Sequence, residues 1–228
     1  MIRVTENLRV IRDLLAKASN DAGRRESSVK LLAVSKKQPI SAILEAADAG
    51  QRDFGENFVQ EGLEKIAASG RNDLVWHFIG HLQTNKTRAV AAHFDWVHTV
   101  DRFKVAKRMS AQRPAEMGDL NICLQVNVEN EPAKSGVHPD EVLSLAKSVV
   151  GLPNICLRGL MCLPANRADF ERQREPFRRL RELSESLTSE GIAVDTLSMG
   201  MTGDYAAAIH EGSTIVRIGT AIFGARPT

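Results

Sequence analysis

Lys36 ends an apolar stretch, LLAVSKKQP (residues 31–39), and a lysine at the end of a hydrophobic strand is costly unless it has a task. Side chains alternate along a strand, so Leu32, Val34 and Lys36 share one side while Leu31, Ala33 and Ser35 share the other. If the first set fills a barrel, Lys36 points into its mouth. Desolvation there disfavours the ammonium form, which leaves a nucleophilic amine suited to forming a Schiff base. The plainer alternative is a surface lysine at a strand end.

Two late segments have the composition of anion-binding loops. One is SMGMTGDYAAAIHEG (residues 198–212), with Ser198, Gly200, Thr202 and Gly203. The other is RIGTAIFGAR (residues 217–226), with Gly219 and Thr220. Small residues let backbone N–H groups approach a phosphate closely. Neither segment matches the P-loop or the Rossmann glycine pattern, and each glycine alone reads as a turn.

Arg217 shares parity with Ile215 and Gly219, so it too points inward, and an inward arginine needs a partner such as Asp53 or Glu56. His77 shares parity with Val75 and Ile79 and reads either as a hydrogen-bonded core histidine or as a ring against a flat cofactor. Asn57 follows DFGE and is placed to cap the next helix, with Gln60 completing the box.

Other chemistries find no support. The histidines at 77, 81, 93, 98, 138 and 210 form no H-E-x-x-H, and Cys123, Cys156 and Cys162 form no C-x-x-C, so no metal site is expected. No G-x-S-x-G occurs. The net charge of +2, from 30 basic and 28 acidic residues, gives no reason to expect nucleic acid or membrane as partner. The run RADFERQREPFRRLRELSESL interleaves glutamates with its arginines and reads as a solvated helix. The opening MIRVTENLRVIRDLLAKASNDAG has no apolar core for a signal peptide, and no apolar run approaches ~20 residues, so a cytoplasmic protein is expected.

The elements that must position these residues alternate. Strands are expected at 31–35, 52–54, 75–79, 96–99, 121–128, 155–161, 194–198 and 214–218. Helices are expected at 40–49, 57–69, 84–92, 101–112, 138–150, 167–189 and 204–211, with Pro176 kinking or dividing the long one. A further amphipathic helix opens the chain, with Val4, Leu8, Ile11 and Leu15 on one face, Thr5 as N-cap and Gly23 as stop. Eight strands alternating with helices predict an α/β protein, a single (β/α)8 TIM-type barrel over residues 1–228; the alternative is an open doubly wound sheet. Ten residues follow the last strand, too few for a normal eighth helix. The N-terminal helix is therefore expected to cover the sheet there. In such a barrel the working face is the C-terminal end of the strands, with phosphate commonly after strands 7 and 8.

The segments LLAVSKKQP, AGQRDFGENFVQE, WHFIGHLQTNK, VHTVDR, LQVNVENEPAKSG, LRGLMCLPA and LSMGMTGDYAAAIHEGSTIVRIGTAIFGAR occur in order along nearly the whole chain. In this combination the chain closely resembles the YggS/PROSC family, the pyridoxal phosphate homeostasis proteins. The resemblance implies a barrel like the N-terminal domain of alanine racemase and the fold-type III decarboxylases, without their second β domain. It implies that Lys36 holds pyridoxal 5'-phosphate (PLP) as an internal aldimine, and that Ser198, Gly219 and Thr220 hold the phosphate. It also places Arg217 against the pyridine nitrogen, with Asn57 and His77 as wall contacts. Family identity is not assumed at Lys37 and His81. No catalytic residue follows.

An arginine at the ring nitrogen weakens the electron sink that carbanion chemistry needs. Racemases of this fold take a tyrosine from the second domain, and the only tyrosine here is Tyr205. A PLP carrier or buffer in vitamin B6 homeostasis is therefore expected, with apo PLP-dependent enzymes as recipients. A PLP-dependent amino-acid racemase is the alternative, and a cofactor-free Schiff-base aldolase a weaker third. The ENEPAKSG loop is either a solvent loop or gives PLP a transient second perch on Lys134.

Overall fold

The computed structural model describes residues 4–225. The strands are β1 (Lys30–Val34), β2 (Asp53–Glu56), β3 (Val75–Phe78), β4 (Trp96–Val100), β5 (Leu120–Gln125), β6 (Ile155–Met161), β7 (Thr196–Ser198) and β8 (Ile215–Ile218). Each pairs in parallel with the next, and β8 pairs with β1, so the sheet closes into an eight-stranded barrel. The helices are α1 (Val4–Asp21), α2 (Ile40–Asp48), α3 (Val59–Ser69), α4 (Thr87–Ala91), α5 (Phe103–Gln112), α6 (Val142–Val149), α7 (Phe170–Ser189), α8 (Tyr205–His210) and α9 (Thr220–Phe223). The closed sheet excludes the doubly wound alternative, and every strand falls within three residues of its expected bounds at each end.

The alternation of side chains sorts the core into layers. Leu31, Ala33, Phe54, Val216 and Ile218 face outward and pack under the helices. Leu32, Val34, Ile79 and Ile215 fill one level of the barrel interior, and Trp96, Cys123, Met161 and Val75 fill another. Each fully buried large apolar side chain stabilises the fold by about 1.5–3 kcal/mol relative to exposure. Parity therefore holds for β1 and β8: the residues that share a side with Lys36 and Arg217 line the interior.

α9 has only four residues, and α1 packs against α8, α9 and α2 across the place where a longer last helix would lie. Asn7 Nδ2 donates to Ile222 O at 2.8 Å and ties the helix there. The face of α1 buried by this packing is Val4, Leu8, Ile11 and Leu15, as its period requires.

Pro176 does not divide α7, which runs unbroken from Phe170 to Ser189. The ring is buried in the core, and proline forfeits only the one backbone bond to the preceding turn. The outer arginines of α7 converge on a single carboxylate. Arg174 Nε lies 2.7 Å, Arg178 Nη2 3.3 Å and Arg181 Nη2 3.5 Å from Glu211, which follows α8 and is 3% exposed. Burial pushes the Glu211 carboxyl up, but Arg174 and Arg178 together outweigh it and hold the group below its ordinary value. Its contribution to stability is therefore present above the ordinary glutamate pKa and is lost as pH falls through the depressed one. Glu211→Gln is expected to cost about 1–3 kcal/mol at neutral pH. In thermal unfolding followed from pH 7 to pH 3, the gap from wild type should close at the acid end.

Candidate functional site

The C-terminal mouth of the barrel holds two adjoining cavities. One, of 230 Å³, is lined by Val34, Lys36, Asn57, Ile79, Met161, Leu163, Met201, Thr202, Arg217, Gly219 and Thr220. The other, of 370 Å³, shares Asn57, Ile79 and Leu163 with it and extends to His81, Thr99, Asn127, Glu129 and Lys134. Lys36, two residues past the end of β1, thus shares one cavity with the turn after β8, more than 180 residues later. Strand pairing brings them together: β1 lies beside β8 with Leu32 opposite Arg217 and Ala33 opposite Ile218.

The backbone on both sides of Lys36 is tied to α3. Lys65 Nζ donates to Ser35 O at 2.7 Å, to Glu56 Oε1 at 2.9 Å and to Glu61 Oε1 at 2.6 Å. The Lys37 N–H donates to Glu61 Oε1, and Ser35 Oγ donates to Glu56 Oε1 at 2.6 Å. Lys37 itself has φ 59° and turns outward to solvent, so the adjacent lysines part at this point. Glu56 is wholly buried, and burial is the leading cause that holds its carboxyl above the ordinary value, against the opposing pull of Ser35 and Lys65. Sequence reasoning offered Glu56 as a partner for Arg217; instead it faces away from the interior, and its partner is Lys65.

Arg217 is 4% exposed and caps the interior under the cavity. Its Nη1 donates to Ser198 O at 2.6 Å and to Ser198 Oγ at 2.7 Å, and its Nη2 donates to Cys162 O at 2.8 Å. A desolvated guanidinium needs partners for its donors, and two carbonyls and a hydroxyl meet three of the five. Burial still pulls the group below its ordinary value.

The turn after β7 brings Met201 and Thr202 to the cavity. Asp204 Oδ1 accepts from the Met201 N–H at 2.6 Å and closes this turn. Gly200 has φ 95°, and a Cβ there would lie 2.6 Å from that of Ala208, so only glycine fits. A Cβ at Gly219 would meet the Val34 carbonyl at 3.0 Å, and Gly219 lines the cavity beside Lys36.

The expected residues therefore divide. Lys36, Asn57, Arg217, Gly219 and Thr220 line one cavity. Lys134 lines the neighbouring one, with its Nζ 2.7 Å from Glu131 and 3.6 Å from Glu129. Ser198 and His77 do not line either. Ser198 is fully buried, and its hydroxyl is engaged by Arg217 and by His98. His77 is fully buried deeper in the barrel, stacked on Trp96 at 5.4 Å and 11°. It points inward as its parity required, but at the level of Trp96, below the mouth. Asn57 does not cap α3, whose N-cap is Phe58, and Gln60 bonds Glu64, so the capping box does not form. Asn57 Oδ1 is instead buried beside the cavity with no hydrogen-bond partner.

Thr202 was legible only as one small residue in a loop, because parity does not apply to irregular backbone. Lys65 carried no signal, since a lysine on a helix reads as solvated. The thiols of Cys123 and Cys162 are pushed up to about 12 by burial, whereas Cys156 is half-buried. A thiol reagent at pH 8 is therefore expected to modify Cys156 alone in the native protein and all three after denaturation, read by peptide mass mapping.

The family model of the alanine racemase N-terminal domain matches residues 3–227 of this eight-stranded parallel barrel. A pyridoxal phosphate homeostasis protein of Vibrio cholerae serotype O1 is 52% identical, over 99% of this chain and 98% of its own length. PipY of Synechococcus elongatus PCC7942, solved with PLP bound, superposes with a TM-score of 0.85 at 35% identity, over 97% of this chain and all of that one. An alanine racemase of Clostridium difficile superposes with a TM-score of 0.75 at 14% identity, over 95% of this chain but 60% of its own, a likeness of fold alone. The chain belongs to the alanine racemase N-terminal domain family and, within it, to the pyridoxal phosphate homeostasis proteins.

Proposed function

We propose that this chain binds PLP at the barrel mouth and serves as a carrier or buffer in vitamin B6 homeostasis. The observation that carries the reading is the single 230 Å³ cavity that joins Lys36, Arg217, Thr202, Gly219 and Thr220. The residues suit the group. Lys36 supplies an amine for its aldehyde, the Gly219–Thr220 turn and Thr202 supply donors for its phosphate, and Arg217 lies on the floor for its ring nitrogen. Asn57 Oδ1, buried and without a partner, supplies an acceptor at the wall. When bound, PLP contributes a reactive aldehyde and an electron-withdrawing ring.

Two features favour carriage over racemisation. A donor arginine below the ring does not stabilise a protonated pyridine nitrogen, so the electron sink is weak. Tyr205, the only tyrosine, packs against the core on α8 and does not line either mouth cavity. The test is chiral analysis of amino acids incubated with PLP-loaded protein. The expected result is no sustained racemisation; sustained turnover would replace this reading with the enzyme.

Residues 1–228 act as one cofactor-holding unit in this reading, in the cytoplasm, with apo PLP-dependent enzymes as recipients. Among the described residues, no helix is long and apolar enough to cross a membrane. Lys134, in the cavity next to that of Lys36, offers a transient second perch during release. Lys134→Ala is expected to slow delivery of PLP to an apo-enzyme by several-fold while leaving loading at Lys36 unchanged. An unchanged delivery rate would remove Lys134 from the account.

A further inference from the structure

The barrel interior beneath Arg217 contains a continuous line of polar side chains. Ser198 Oγ lies 2.7 Å from His98 Nδ1, His98 Nε2 lies 2.9 Å from His77 Nδ1, and His77 Nε2 lies 3.0 Å from Asp53 Oδ1. With the 2.7 Å bond from Arg217 to Ser198 Oγ, the line reaches from the mouth to the opposite end of the barrel. There Asp53 also accepts Lys30 Nζ, which is half-exposed, at 2.9 Å. Ser198, His77 and His98 are each 0% exposed, a polar line through an interior whose two packed clusters are apolar.

With both rings neutral, the Asp53 end fixes the direction of every bond. A guanidinium only donates and a carboxylate only accepts. Ser198 Oγ, accepting from Arg217, can pass its own proton to His98 Nδ1. That ring then carries its hydrogen on Nε2 and donates to His77 Nδ1, and His77 carries its hydrogen on Nε2 and donates to Asp53. One proton per link satisfies all of them with both rings neutral. Burial, the leading cause for each ring, holds His77 below and His98 well below the ordinary histidine value, in keeping with neutral rings. No carboxylate among the described residues forms a direct ion pair with Arg217.

We propose that Asp53, His77 and His98 are positioning residues of the Lys36 cavity. With Ser198 they form a one-way hydrogen-bonded relay that orients the Arg217 guanidinium. The relay's effect on PLP rests on the reading that the cofactor's ring nitrogen meets Arg217. The relay itself does not, because it exists in the chain alone.

The test is nitrogen-15 NMR of protein labelled in its histidines, without PLP. The expected result is that both rings are neutral and carry hydrogen on Nε2. In Asp53→Ala, His77 loses its acceptor and both rings should lose the single-tautomer signature. Asp53→Asn keeps a carbonyl acceptor and should restore it. The visible band of PLP-loaded protein should shift in Asp53→Ala, while borohydride still fixes the cofactor to Lys36. If Asp53→Ala does not fold, Ser198→Ala removes the donor to His98 Nδ1 and should move that nitrogen's resonance. A hydrogen on Nδ1 of either ring, a charged ring at pH 7, or tautomers unmoved in folded Asp53→Ala would overturn the relay. Failure of wild-type protein to take up PLP would instead overturn the functional reading and leave the relay to be decided by the tautomers.

Discussion

Lys36→Ala is expected to yield a folded protein that no longer retains PLP through gel filtration. The covalent link is lost and only the donors of Thr202, the Gly219–Thr220 turn and Arg217 remain, so retention should weaken by about 100-fold or more, roughly 2.7 kcal/mol. The visible band of the loaded protein should vanish with it. Stability should change little. The helical ties on this turn run through the neighbouring backbone at Ser35 and Lys37, which the substitution keeps. Equilibrium dialysis, paired with a thermal melt, separates the two effects. Wild-type retention in the folded variant would show that Lys36 is not the anchor.

Lys65→Met is expected to be the most destabilising single change near the site. Lys65 is nearly buried and faces wholly buried Glu56, so its removal leaves a buried carboxylate with no cation. Breaking one side of such a pair costs about 3–5 kcal/mol, which for a chain of this length lowers the thermal midpoint by on the order of 10 °C. Glu56 sits above its ordinary value because of burial, so its proton favours the folded state at low pH, and that contribution is lost as pH rises through the raised value. The deficit of Lys65→Met should therefore shrink as pH is lowered below that value. Glu56→Gln keeps the acceptor for Ser35 and removes the charge, and should cost less. Because Lys65 and Glu61 hold the peptide groups on both sides of Lys36, Lys65→Met should also slow the uptake of PLP. A melt unchanged between pH 5 and pH 8 would show that Glu56 does not depend on Lys65.

How much of this was legible in the sequence follows from the periodicity of strands. A period of two is enough to send Leu32, Val34 and Lys36 inward together, and Ile215 with Arg217, and closure of the barrel then brings both sets to one mouth. The same parity sent His77 inward but carried no information about depth. Depth depends on the register of β3 against β4, where His77 lies opposite Trp96. The partner of Arg217 was expected to be a neighbouring carboxylate. Arg217 instead bonds Ser198 and the Cys162 carbonyl, and Asp53 bonds His77 and Lys30, contacts between strands whose alignment the sequence does not state. Thr202 sits on irregular backbone with no period to read. Pro176 suggested a break that the buried ring and the rest of α7 do not permit.

The central claim is that Lys36 is the residue that holds PLP. The direct measurement is borohydride reduction of the PLP-loaded protein, followed by proteolysis and mass mapping of the tagged peptide. The account predicts one principal tag, on Lys36 in the peptide that spans the end of β1. A principal tag on Lys37, Lys134 or any other lysine, with Lys36 unmodified, would contradict it.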